Sequence, residues 1–360
     1  MPLSKSKYLI VLFALLLITG TSKAQIPSTG GGAERSEKNF NFLPIPYLNY
    51  SRSIGFSYGL LPMAMYNLSK KDTISPSSVS GMLGMGSDNG TWFGMAFNKF
   101  YLKEDTYRLT LVGGLGNVNF QFYPDLPFAP EFIKYSTGMD FLLVEGQRKV
   151  AKNMYAGLGY FFVNLSTQFD IDGVPTQYNT LHGIRLVYSA DFRDNVYYPH
   201  KGFIANLQYN AFPSFLGNTS SSNKIEVDWN HFFEMKNKKD VVAARAFIGV
   251  GIGKLDFNQQ FIVGQTDIRG YSQGKFRGDQ LYAIQAEYRK NFNDKFGIVG
   301  FAGVATIGGS INESDNGRFL PSAGGGFRIT VFPKNHFNIG MDAGVGVDDW
   351  GLEFRIGEAF

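Results

Sequence analysis

Short runs in which apolar and polar residues alternate, separated by turn residues, recur from Phe40 to the last residue of this 360-residue chain. Alternation at a period of two gives a strand two faces of different character. It is clearest late in the chain. Phe203, Ala205, Leu207 and Tyr209 alternate with Gly202, Ile204, Asn206, Gln208 and Asn210. Ile225, Val227 and Trp229 alternate with Lys224, Glu226, Asp228 and Asn230. Tyr282, Ile284, Ala286 and Tyr288 alternate with Ala283, Gln285, Glu287 and Arg289, and Leu352, Phe354 and Ile356 with Glu353 and Arg355. One face is apolar and the other carries charges of both signs. A soluble sandwich would bury the apolar face, whereas a membrane barrel would turn it to lipid and keep the charges in its lumen.

The N-terminus favours the barrel. Lys5 and Lys7 precede a continuous apolar stretch from Tyr8 to Ile18, and Ser22-Lys23-Ala24 supplies a small-x-small cleavage site before Gln25. Residues 1–24 are therefore expected to be a signal peptide, too short in its apolar part to span a bilayer as a helix. No cysteine follows, which excludes a lipid anchor at the cleavage site and disulfides throughout. Without those residues the chain carries 31 basic and 30 acidic residues. That balance argues against nucleic acid as a partner. In an exported chain rich in Gly, Phe and Tyr, with no helix-length apolar stretch, only a closed barrel satisfies the backbone in lipid.

Residues 25–39 read as a short polar lead and 40–360 as an all-β, transmembrane antiparallel β-barrel. The alternating runs map to sixteen strands: 43–51, 54–66, 77–87, 91–102, 105–120, 133–148, 153–170, 178–192, 201–212, 222–235, 240–252, 278–291, 296–309, 321–332, 336–347 and 350–360. Every second connector is tight and often lysine-bearing, as in Lys103-Glu104-Asp105 or Lys236-Asn237-Lys238-Lys239-Asp240. The intervening ones, at 121–132, 213–221, 253–277 and 310–320, are longer. Short turns face the periplasm and long loops the exterior in such barrels. The longest loop, joining strands eleven and twelve, is then extracellular, and loops of that length are usually functional.

That loop reads Gly264-Gln265-Thr266-Asp267-Ile268-Arg269-Gly270-Tyr271, then Phe276-Arg277-Gly278-Asp279. An arginine in that setting, followed by Glu287 on the inner face of the next strand, suggests a buried tether between Arg269 and Glu287. The loop, the turn after strand eight and the C-terminal strands together resemble the BamA/TamA outer-membrane assembly superfamily. Ile268-Arg269-Gly270-Tyr271 matches its Val-Arg-Gly-Phe/Tyr loop. Asp191-Phe192-Arg193-Asp194 with Tyr198-Pro199-His200-Lys201-Gly202 matches its Asp-x-Arg-Asp…Pro-x-x-Gly periplasmic turn. Pro321-Ser322-Ala323-Gly324-Gly325-Gly326-Phe327-Arg328 is similar to its Ser-x-Gly-x-Gly-hydrophobic-Arg strand. The likeness runs from about residue 40 to 360.

The resemblance implies a barrel in the outer membrane of a Gram-negative bacterium that assists insertion or translocation of proteins or lipids, with unfolded outer-membrane proteins or lipids as clients. It also implies a seam between the first and last strands that opens sideways. Pro44 and Pro46 in the first strand fit a thin seam, since proline cannot donate to a ladder; a placement just before the strand fits them equally well. Phe360, counted with Pro44 and Pro46 at the seam and in line with Leu352, Phe354 and Ile356, is expected on the outward face, like the terminal aromatic by which barrels are recognised for assembly. Two departures stand out. The family's periplasmic POTRA domains do not fit in residues 25–39, so a separate periplasmic partner would have to supply them. Gly303 in Phe301-Ala302-Gly303-Val304-Ala305 stands where the family carries an acid, which predicts a looser brace around Arg269.

Asp191, Arg193, Asp194, Pro199 and Gly202 read first as a structural turn: the acids can bond nearby backbone, proline fixes φ, and glycine permits a tight exit. His182, His200, His231 and His336 share no short metal-like spacing. Asp315, Asp348 and Asp349 lie in outer loops, where a solvated loop outweighs weak calcium binding. Neither a catalytic residue, a metal nor a cofactor is expected. The alternatives are a passive or substrate-selective outer-membrane pore and, more distantly, an outer-membrane lipid-modifying enzyme built on a Ser-His pair near His182.

Overall fold

A computed structural model describes residues 40–360 apart from 52–53, 123–132, 196–197, 220, 254, 257–258, 265–266, 273–274 and 333–336. Residues 1–39, expected to be a signal peptide and a polar lead, and His336 lie outside the described residues. The wall begins with β1 (Phe40–Ser51), β2 (Gly55–Tyr66), β3 (Ser78–Ser87), β4 (Trp92–Leu102), β5 (Tyr107–Phe122) and β6 (Ile133–Ala151). It continues through β7 (Met154–Phe169), β8 (Gln177–Asp191), β9 (Gly202–Phe212), β10 (Ser222–Glu234) and β11 (Val241–Gly253). Two short strands, β12 (Phe261–Ile262) and β13 (Arg277–Gly278), pair within the long loop. The wall resumes with β14 (Gln280–Asn291), β15 (Phe296–Gly308), β16 (Leu320–Phe332), β17 (Phe337–Gly346) and β18 (Asp349–Ile356).

Sixteen of these strands close an antiparallel barrel, each paired with its neighbour in the chain and β18 with β1. The strand count and the parity of the loops follow the alternation in the sequence, with ends shifted by up to three or four residues. The tight lysine-bearing turns share one end of the barrel with the start of β1 and the close of β18. The long β11–β14 loop lies at the other end, the outer one.

Register fixes which side chains enter the lumen, because a one-residue slip would exchange the two faces. From β9 onward the expected arrangement holds. In β14 the buried positions are Leu281, Ala283, Gln285, Glu287 and Arg289, and the exposed ones include Tyr282, Ile284 and Tyr288. From β1 to β8 it does not hold: the lumen face there is itself apolar. A cluster of twenty-four buried apolar side chains, all but two of them from β1–β8, fills that half of the interior. Its deepest members include Phe161, Val163, Leu165 and Leu181, each at most 1 % exposed. Charged groups in this half gather toward the periplasmic end. There Arg108 donates to Asp105 through two nitrogens at 2.7 and 2.8 Å, and the Tyr155 hydroxyl donates to the same carboxylate.

Rings lie flat against this wall rather than across the lumen. Four phenylalanines in the N-terminal half face a glycine directly across the ladder: Phe93–Gly116, Phe97–Gly81, Phe141–Gly114 and Phe161–Gly183. Phe301–Gly324 repeats the arrangement in the other half. A Cβ at any of these glycines would come within 2.0–2.7 Å of the facing ring. The missing side chain is the space the ring occupies.

The ladder is uneven around the circumference. Among the described residues, β1 and β2 pair over twelve positions, whereas β1 meets β18 at one, Tyr50 with Leu352. Pro44 and Pro46 sit inside β1, opposite Pro62 and Leu60, and the β2 ladder runs through both. The edge left without pairs faces β18, where absent donors are tolerated. Phe360 departs from the expected position. β18 ends at Ile356, Gly357 turns at φ 83°, and residues 358–360 fold into the lumen. Phe360 packs with Tyr198, Ile204, Phe232, Val241 and Ala243, so it is neither an outward aromatic nor a residue of the seam.

Candidate functional site

The loop between β11 and β14 enters the lumen instead of standing above it. Ile268, Arg269 and Tyr271 are each at most 4 % exposed, and the loop's apolar residues pack on the inner faces of β11, β14, β15 and β16. Gly270 has a φ of 96°, the left-handed region that side chains resist. A Cβ there would lie 2.9 Å from the Val345 backbone, and one on Gly344 would lie 2.9 Å from the Gly270 Cα. Two backbones touch at this point, which requires glycine on both sides. Tyr271 follows at once. Its hydroxyl donates to the Pro321 carbonyl at 2.6 Å and accepts from the Val347 N–H at 3.1 Å. Ser272 then donates twice to Asp349, at 2.7 and 2.9 Å.

Arg269 lies between these anchors. Its Nη2 is 2.6 Å from Glu287 Oε2, its Nη1 donates to Asp342 Oδ2 at 2.7 Å, and its Nε donates to Gln285 at 2.9 Å. The guanidinium carbon sits 3.6 Å from the centroid of the Phe301 ring, a cation–π contact. The ring in turn rests on Gly324. Arg269 thus has two carboxylates despite the glycine at 303. The second is Asp342 of β17, not a residue of β15, so the looser brace expected from Gly303 is corrected: the acid comes from a different strand.

The same acids hold further cations. Asp342 accepts from Arg328 at 2.5 Å and Arg355 at 3.2 Å, and Glu287 from Arg289 at 2.7 Å. Glu358, in the inward-turned segment after β18, accepts from Arg328 at 3.0 Å and from Asn338 at 2.7 Å. Arg289 donates to the Phe360 carbonyl at 2.7 Å. A continuous polar column therefore runs down the C-terminal half of the lumen, from the loop to the periplasmic end. Reading the sequence found two of its members, Arg269 and Glu287. Asp342 was accessible: it is the one acid on the inner face of β17, among Asn338, Gly340 and Gly344. Glu358 was not, because the turn at Gly357 breaks the alternation that would assign its face.

The turn between β8 and β9 closes the column from below. Asp191 is fully buried and receives Arg193 through two nitrogens at 2.9 and 2.7 Å. Asp194 Oδ1 accepts the backbone N–H groups of Asn195, His200 and Lys201. Pro199 is buried, and at Gly202 a Cβ would lie 2.1 Å from the Phe192 carbonyl oxygen. Each conserves the turn's own geometry. Tyr198 reaches beyond it: its hydroxyl accepts from Asn291 of β14 at 2.8 Å, and Arg289 lies 5.8 Å from its ring centroid. His182 points outward and meets the Tyr160 hydroxyl at 2.7 Å. No His/Cys/Asp/Glu group of metal-binding geometry occurs among the described residues.

Comparison with known proteins places this arrangement. A model described as the Omp85 superfamily domain matches residues 77–360. The fold is similar to that of BamA from Haemophilus ducreyi lacking POTRA domains 1–3, at a TM-score of 0.58 and 12 % identity, over 89 % of this chain and 70 % of that one. It is similar to CdiB from Acinetobacter baumannii, at 0.60 and 12 %, over 91 % and 64 %. It is also similar to CdiB from Escherichia coli, at 0.63 and 10 %, over 92 % and 67 %. The chain thus spans about two thirds of the length of these solved chains. No curated protein sequence matches it.

Proposed function

Because this chain belongs to the Omp85 superfamily, whose domain model covers residues 77–360, we propose that it helps insert or translocate proteins or lipids at the Gram-negative outer membrane through a seam in its own wall. The observation that carries the reading is the contrast, among the described residues, between one paired position at β1–β18 and eight or more between every other pair of neighbouring wall strands. Opening that seam breaks few backbone hydrogen bonds, whereas opening any other neighbouring pair breaks a ladder of eight or more paired positions. Arg269, Gly270, Tyr271 and Glu287 act as the tether that keeps the loop, and β17–β18 beside it, in place while the seam moves. The Asp191–Gly202 turn supports the column from the periplasmic side.

The lumen argues against a passive pore. Half of it is an apolar core and the other half is crossed by the loop and its arginines. A wide water-filled channel would instead be lined with solvated polar groups. No reaction is part of this reading. Export by a cleaved signal peptide over residues 1–24, and a separate periplasmic partner that presents clients, complete it.

The chain has no cysteine, so a lock across the seam is clean. Tyr50→Cys with Leu352→Cys places two thiols at the one paired position. A census of outer-membrane proteins and lipids follows, in cells that depend on the variant. With the disulfide formed, the census should match that of depleted cells, and reductant should restore it. A locked barrel that leaves the census unchanged removes the gating idea.

A further inference from the structure

The two ends of the barrel carry opposite charge. Five exposed cations belong to the periplasmic ends of the N-terminal half: Lys70, Lys71, Lys103, Arg148 and Lys152. Six more belong to the other half: Lys201, Lys236, Lys238, Lys239, Lys290 and Lys295. Among the described residues, four exposed acids stand against these eleven at the same level, Glu104, Asp194, Glu234 and Asp294. At the outer end the sign reverses. The exposed acids there are Asp88, Asp170, Asp172, Glu313 and Asp348, and the exposed cations are Lys134 and Arg318 among the described residues. A near-neutral chain has sorted its charge along the barrel axis.

We propose that the periplasmic rim is a collar that binds anionic phospholipid headgroups of the inner leaflet. Two observations point to lipid rather than to a protein. First, the cations are spread over six of the periplasmic connections, around the circumference, whereas a docked protein would contact one sector. Second, they share their level with an outward aromatic belt. Tyr107, Tyr188, Phe233, Tyr288 and Phe296 are each 37–47 % exposed near the periplasmic strand ends. Aromatic belts mark the lipid–water interface. Lys103 Nζ lies 5.6 Å from the Tyr107 ring centroid and Lys290 Nζ 5.5 Å from that of Phe292. These stems lie along the apolar belt and hold their ammonium groups at headgroup depth. Lys238, Lys239 and His200 line a cavity of about 410 Å³ between the periplasmic turns, together with Tyr198, Asn291 and the carboxylate of Asp294.

The inference depends on the barrel's placement in the membrane and not on whether it handles clients, so it can fail while the proposed function stands. The test is native mass spectrometry of the purified full-length barrel, titrated with phosphatidylglycerol or with phosphatidylethanolamine. The variant carries Lys236→Gln, Lys238→Gln, Lys239→Gln, Lys290→Gln and Lys295→Gln; a second carries arginine at the same five positions. The unaltered barrel should retain phosphatidylglycerol preferentially. Each lysine withdrawn from a headgroup should weaken that binding about fivefold, the equivalent of ~1 kcal/mol. The arginine variant should keep the preference, and all three should stay folded by resistance to heat in detergent. Equal retention of the two lipids by the unaltered barrel overturns the collar. So does a glutamine variant that keeps the preference, and if that variant instead loses crosslinks to a periplasmic protein, the rim serves an acidic protein surface.

Discussion

The two halves of the lumen wall use different physics to fill the same kind of space. In β1–β8 the interior is a dry core: rings lie over glycines, and methionines such as Met63, Met95 and Met139 fill what remains. Met is suited to irregular gaps because it is unbranched and flexible. In β9–β18 the interior is a column of arginines and carboxylates that holds an inserted loop. Apolar packing is non-directional and can slide or repack. A column of charge-assisted hydrogen bonds has fixed partners. The halves meet twice. At β8–β9 they are laddered over eight positions, and at β1–β18 over one. The half with fixed partners is the one that carries the loop, and the apolar half supplies β1, the N-terminal side of the sparsely paired contact with β18.

The comparison can be broken most directly at Asp342. Asp342→Asn takes a shared carboxylate from Arg269, Arg328 and Arg355, and removing one member of a buried pair costs about 3–5 kcal/mol. The folded band on a semi-native gel should then convert at lower temperature, and the inserted loop should become cleavable by protease. Leu165→Ala tests the other half. Truncating a buried leucine costs about 2–5 kcal/mol, seen as a lower urea midpoint in detergent, but the loop should stay protected. A loop that becomes cleavable in both variants would show that the halves are one unit.

Gly183→Ala sharpens the picture of the apolar half. A Cβ there meets the Phe161 ring at 2.0 Å, and overpacking costs about 1–3 kcal/mol. Gly84→Ala and Gly146→Ala, where nothing lies within 4 Å, should leave the urea midpoint unchanged or slightly raised. The smallest effect concerns Asp72, outside the membrane on the β2–β3 connection. Burial would raise its pKa, but hydrogen bonds from Ser75 N–H, Glu104 N–H, the Ser75 hydroxyl and Ile74 N–H outweigh this and hold it at about 2. Its folded pKa is depressed, so its contribution is complete above the ordinary value near 3.8 and is lost as pH falls through about 2. Asp72→Asn should lower stability at pH 7 slightly, leave it unchanged below about pH 2, and so flatten the acid limb of a stability–pH curve between those values.

These differences also explain what the sequence made legible. Alternation was plain in β9, β10, β14 and β18 because lipid and a charged lumen demand opposite residues. In β7, Tyr160-Phe161-Phe162-Val163 is apolar on both faces, since lipid lies on one side and a dry core on the other. The strand was still found, by its length and bounding turns, but its inner face was not. Arg269 and Glu287 were found because they belong to one loop and the strand after it. Asp342 lies seventy-three positions from Arg269, and only barrel closure brings it near. Phe360 was misplaced for a local reason: Gly357 reverses the face, and a glycine near a strand end does not announce which φ it will adopt.

The phenylalanine–glycine pairs of the inner wall bear on how such a barrel can change over generations. Ring and absent side chain occupy one volume, so neither position can drift alone. A larger residue at Gly183 has no room while Phe161 remains, and a smaller one at Phe161 leaves a void that Gly183 cannot fill. Each pair is inherited as a unit or exchanged as a unit. In an alignment of relatives, the five pairs should stand out as coupled columns, and a pair that swaps sides would place its ring on the neighbouring strand with the wall unchanged.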